Sequence, residues 1–91
     1  MRTSDAETLA LRALAYLAAD SEILARFLTI SGLEPDNLRQ RLTDPELLGG
    51  VIEFLLSDEN LCAEFLTAEG LDPRNLHAAL QALSGTQPDG P

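Results

Sequence analysis

The sequence predicts an all-α protein of six short helices, arranged as two tandem three-helix units that share one core. Three observations carry this expectation. The apolar residues, 45% of the chain, are chiefly Leu and Ala, with one Tyr, three Phe and no Trp, and such a composition favours helix over sheet. Those residues recur at spacings of three and four. The chain also matches itself without a gap at an offset of 38 residues, the separation of Phe27 and Phe65.

The self-match is more than shared Leu and Ala. Asp20 pairs with Asp58, Phe27 with Phe65, Thr29 with Thr67, Gly32 with Gly70, Pro35 with Pro73 and Asn37 with Asn75, all in register. Leu17/Leu55, Leu28/Leu66, Leu38/Leu76 and Leu42/Leu80 are identical too, while Tyr16/Phe54 and Ile23/Leu61 are conservative. Units of about 4–42 and 45–80 result, within one helical domain over 1–83.

The first helix opens with Ser4 and Glu7 at capping-box spacing and carries Leu9, Ala13, Leu14 and Leu17 at helical period, ending near Ala19. Asp20 and Asp58 stand where the N-caps of the second helices belong, ahead of Ile23, Leu24, Phe27 and Leu28, or Leu61, Cys62, Phe65 and Leu66. Gly32 and Gly70 fall just past those helices, where a left-handed residue ends a helix and the next Leu folds back on it. Glu34-Pro35 and Asp72-Pro73 place an acidic N-cap before proline and start the third helices. Asp44-Pro45 repeats the device and opens the second unit. Residues 84–91, Ser-Gly-Thr-Gln-Pro-Asp-Gly-Pro, have nothing apolar to bury and are expected to be disordered. Each unit alone leaves its apolar face exposed, so the two are expected to bury it mutually, with Phe27 and Phe65 near the centre.

Charge and cysteine content narrow the partners. Fifteen acidic residues against six basic ones give a net charge of −9, and every basic residue is Arg. This balance disfavours nucleic acid and anionic membranes. No apolar run approaches the length of a membrane span, Arg12, Asp20 and Glu53 interrupting the best candidates. With one cysteine and a polar, acidic start to the chain, a cytoplasmic location is expected.

The self-match serves as an internal control on single residues. Cys62 corresponds to Leu24 and reads as a buried structural thiol; His77 corresponds to Arg39 and reads as helix surface. The carboxylates sit as caps and exposed helical positions. No phosphate loop, nucleophile elbow or zinc spacing occurs, so the chain is read as no enzyme, with no cofactor, metal site or evident small-molecule substrate. Gly49-Gly50 lies inside a predicted helix at a cost of about 1 kcal/mol per residue relative to Ala. Close helix packing or a delayed helix start is the expected reason, and a groove for a partner is the alternative. Between the third helices, Arg39-Gln40-Arg41 becomes His77-Ala78-Ala79. With Ala82 and Leu83 this change suggests a sticky helix face, and Leu11, off the stripe of its own helix, is expected to be exposed too.

From the Leu-rich first helix through Leu83, with its twice-used Phe-Leu-Thr and Gly-Leu-acid-Pro-x-Asn-Leu segments, the sequence resembles a family of short bacterial proteins catalogued as domain of unknown function 3572. The resemblance implies a helical fold and a bacterial origin and brings no activity, cofactor or site. A ubiquitin-associated three-helix module is rejected, because Asp20-Ser21 and Asp58-Glu59 stand where its Met-Gly-Phe-type loop belongs. The function expected is a non-catalytic protein-protein interaction module, its partner another protein or a second copy. The alternative is a helix-turn-helix-like nucleic-acid-binding regulator using Arg26, Arg39 and Arg41.

Overall fold

The computed structural model describes residues 1–84, and all regular structure in them is helical. The helices are α1 Thr3–Ala18, α2 Ser21–Ser31, α3 Pro35–Gln40, α4 Pro45–Leu56, α5 Glu59–Glu69 and α6 Pro73–Ser84. Their ends follow the expected chemistry. Asp20 accepts the Glu22 and Ile23 N–H groups at 3.0 and 3.4 Å, and Asp58 accepts that of Leu61 at 3.1 Å. Gly32 and Gly70 are left-handed, at φ 74° and 68°. Beyond them the Leu33 N–H reaches back to the Leu28 carbonyl at 3.1 Å and the Leu71 N–H to Leu66 at 2.9 Å, which satisfies carbonyls the helix leaves open.

Two expected caps do not form. The Ala6 N–H already bonds the Arg2 carbonyl at 2.9 Å, so α1 starts ahead of Ser4 and the Ser4/Glu7 capping box is replaced by an uncapped end. Glu34 is in the N-cap position of α3 but its side chain makes no cap bond; the fixed φ of Pro35 is what starts that turn. At the other end, Ser84 is the last residue of α6. The rest of the segment expected to be disordered lies outside the described residues.

The packing is not that of two docked three-helix units. α1, α4 and α6 pack on one another as a central trio, with α2 against α1 and α4, and α5 against α4. α3 contributes no buried residue, and Leu42 beyond it is 37% exposed. The third helices diverge because their continuations differ. After α3 the chain must enter Pro45, which excludes the preceding residue from helical conformation. Arg41 secures that corner, its Nε and Nη2 donating to Asp44 Oδ2 at 3.0 and 2.7 Å. α6 meets no such stop and runs on through Leu76, Ala79 and Leu83, all buried.

The aromatic residues connect the halves crosswise. Phe27 of α2 meets Phe54 of α4, and Phe65 of α5 meets Tyr16 of α1, each pair edge-on with centroids 5.4 Å apart. Phe27 and Phe65 are both buried, as expected. Residues 38 positions apart thus make the same contact, each second helix placing its ring on the first helix of the other half.

Candidate interaction surface

The apolar residues singled out from the sequence do not form one surface. Ala79 and Leu83 are core residues, and Ala78 and Ala82 are half-buried in α6. The correction has a simple cause. α6 lies between α1 and α4, and its alanines let the backbones approach, so the charge lost from Arg39-Gln40-Arg41 to His77-Ala78-Ala79 marks burial rather than a sticky exterior. Leu11 is 39% exposed, as expected, and stands alone.

The internal glycines of α4 also depart from expectation. The helix begins at Pro45, so it is not delayed, and neither glycine is required by packing. A Cβ on Gly49 would meet Leu80 Cδ1 at an ordinary 3.7 Å, and one on Gly50 would meet nothing within 4 Å. What the pair does is open the surface. Glu46, Gly49, Gly50 and Glu53 fall on one stripe of α4 by helical spacing, giving a saddle without side chains, buried at Gly49 beside Leu80 and half-open at Gly50, with a carboxylate roughly 5 Å along the axis on either side.

Two larger clefts meet at this saddle, beside a smaller one of about 160 Å³ that Arg41 and Leu33 help to line. One, of about 340 Å³, runs towards α6 over Pro45, Leu80 and Leu83. The other, of about 360 Å³, runs towards α2 between Phe27, Ile30, Ser31, Phe54 and Ser57. Ile30 stands at the rim, 71% exposed. The Glu53 side chain has no partner among the described residues, whereas Glu46 reaches Arg41 Nη2 at 3.4 Å while staying mostly in solvent. Ser31 and Ser57 donate to the Leu28 and Phe54 carbonyls at 3.3 and 2.7 Å. Neither hydroxyl is set up as a nucleophile, which needs an adjacent base. Sequence reasoning found the glycines but not the cleft, since Ile30 and Ser31 come from another helix; their only signal was a helical cost without a structural reason.

Elsewhere several of the charged groups are engaged. Arg26 lies 5.7 Å from the Phe54 ring centroid and bonds Asp58 Oδ2 at 3.3 Å. With Arg41 on Asp44 and Glu46, two of the three arginines that a nucleic-acid surface would call on are already paired with carboxylates. At the position 38 residues beyond Arg26 stands Glu64. Burial, then this carboxylate, holds the Tyr16 phenol above its ordinary value. Cys62 is buried, as expected, and burial followed by Asp58 pushes its thiol up, away from reactivity. His77 is exposed. Among the described residues no group of three or more His, Cys, Asp or Glu side chains is placed to hold a metal ion. No helix among them is long and apolar enough to cross a membrane.

The sequence profile of the DUF3572 family, described as a protein of unknown function, matches residues 3–86. The chain belongs to the DUF3572 family. That match covers all six helices. No curated protein and no solved structure matches this DUF3572 chain significantly.

Proposed function

We propose that this DUF3572 protein is a non-catalytic protein-interaction module that docks a partner in the trough at Gly49 and Gly50. One observation carries the reading: two helix-destabilising residues, unnecessary for packing, uncover an apolar trough between Phe27, Ile30 and Phe54 on one side and Leu80 and Leu83 on the other. Large side chains buried at the floor of a cleft, with polar groups at its rim, are the usual anatomy of a docking site. The trough's chemistry supports binding over catalysis. It holds two carboxylates two turns apart and two hydroxyls that donate to backbone carbonyls. The reading places the module in the cytoplasm, where a lone thiol stays reduced.

The test is site-specific photo-crosslinking in the native cell. A photoreactive phenylalanine analogue in place of Ile30 is expected to give a discrete protein adduct, and the same analogue at Leu11 is expected to give none. Loss of the Ile30 adduct when Gly50→Leu fills the trough would tie capture to the cleft. Identical adduct patterns from both positions, or none from Ile30, would refute the reading.

A further inference from the structure

The cleft between α2 and α4 has a counterpart elsewhere in the molecule. Its rings, Phe27 and Phe54, correspond at 38 residues to Phe65 and Tyr16, which meet at the same distance and nearly the same angle. The residues one turn further along correspond as well. Gly50 matches Arg12, and Ser31 matches Glu69. Between α1 and α5 those two form an ion pair, Arg12 Nη1 lying 3.4 Å from Glu69 Oε1. Between α2 and α4 the matching positions carry neither charge, and the cation that lines the neighbouring cleft, Arg41, is held by Asp44 and Glu46. A carboxylate is nonetheless supplied there: Glu53, one turn from Gly50, replaces Ala15 of the other half. It has no partner among the described residues.

We infer that the trough receives a guanidinium or ammonium side chain from another protein, seated over Gly50 with its charge towards Glu53, beside an apolar residue inserted between Phe27, Ile30 and Phe54. This rests on the interaction reading above and adds the chemistry of the partner. The aliphatic stem of an arginine or lysine packs on apolar surface while its head reaches a carboxylate, which suits a saddle half-open at Gly50 with an acidic rim. Arginine adds a planar face that stacks on aromatic rings, and Arg26 already lies over the Phe54 ring, 5.7 Å from its centroid. The net charge of −9 draws such a segment in. It opposes a second copy docked trough to trough, which would set Glu53 against Glu53. The chain's own last seven residues, Gly85 to Pro91, contain no Arg or Lys.

The molecule also supplies the control. The double variant Gly50→Arg/Ser31→Glu recreates the Arg12/Glu69 pair in the open cleft and leaves net charge unchanged, so it plugs the trough without altering long-range attraction. A phage library of random dodecapeptides is panned on the full chain, with the plugged variant for counter-selection, and recovered peptides are measured by fluorescence anisotropy. The expected peptides carry Arg or Lys next to a large apolar residue. Replacing that cation by Gln is expected to weaken binding roughly tenfold or more, and plugging to abolish it. Peptides excluded by the plug but indifferent to the Gln replacement would leave the interaction reading standing and overturn the cation. Failure to recover any peptide, or equal binding to the plugged variant, would overturn both. Two measurements on the unmodified chain decide the remaining occupants. A dimer in sedimentation equilibrium that the plug abolishes would assign the trough to a second copy. Amide signals of residues 85–91 that move on plugging would assign it to the chain itself. Either result overturns the proposal.

Discussion

Glycine has opposite roles in this chain, and a single methyl group separates them. At Gly70 the backbone is left-handed, φ 68°, so an added Cβ is strained whatever space surrounds it. At Gly50 the backbone is helical and the space is open. Gly50→Ala is therefore expected to stabilise the protein by about 0.5–1 kcal/mol and Gly70→Ala to destabilise it by about 1 kcal/mol or more. In a domain of this size each corresponds to a shift of melting temperature of about 4–8 °C per kcal/mol. A Gly50→Ala variant that melts lower than wild type would show that the glycine serves the fold after all, and would remove the physical basis for reading the trough as a site. The sequence shows both glycines as irregularities. It distinguishes them only through position: Gly70 lies just beyond the last periodic residue of a helix, and Gly50 lies in the middle of one.

At the scale of the helix, start and stop signals were largely legible because capping is local chemistry. Asp20, Asp44, Asp58 and Asp72 each accept a backbone N–H within three residues. Three of those carboxyls are held below the ordinary aspartate value: Asp58 by the Leu61 N–H and then Arg26, Asp44 by Arg41 and then the Glu46 N–H, Asp72 by the Arg74 N–H and then the Arg74 side chain. A depressed carboxyl contributes stability that is present above its unfolded value and lost as pH falls through the lower folded one. The melting temperature is thus expected to be flat above about pH 5 and to drop below about pH 4. Asp58→Asn, which keeps a capping oxygen but cannot ionise, is expected to melt lower at neutral pH and to lose less on acidification. Equal acid sensitivity in both proteins would show that Asp58 has no part in the acid response.

The third helices show where local reading fails. Arg41 and Ala79 correspond at 38 residues, yet one guanidinium turns to Asp44 at an exposed corner and the other position is fully buried. Whether a helix extends into the core depends on the next stretch of chain, which brings Pro45 in the first half and Leu83 at the matching position of the second. Ala79→Arg places an unpaired charge in the interior and is expected to abolish cooperative unfolding by circular dichroism. Arg41→Ala, which removes a partly exposed ion pair, is expected to change stability by at most about 1 kcal/mol. If Ala79→Arg melted like wild type, α6 would not lie between α1 and α4.

For the whole molecule, the fold class and the burial of Phe27 and Phe65 were legible, because apolar period and composition decide both. The pairing was not. Self-similarity says that two segments fold alike and is silent on which copy of the first helix each second helix packs against; loop entropy permits either arrangement at similar cost. Each second helix packs on the first helix of its own half, while the rings make the crossed contact, Tyr16 with Phe65 and Phe54 with Phe27. This is open to a double-mutant cycle. Tyr16→Leu and Phe65→Leu retain apolar bulk while removing the edge-on geometry, and are expected to couple by about 0.5–1.5 kcal/mol in urea denaturation. Tyr16→Leu with Phe27→Leu, rings that share no edge-on contact, is expected to be additive within about 0.5 kcal/mol. The opposite pattern would mean that the rings meet within each half. The correspondence of Gly50 and Ser31 with Arg12 and Glu69 would then lose its meaning, because the open cleft would no longer have an ion-paired twin.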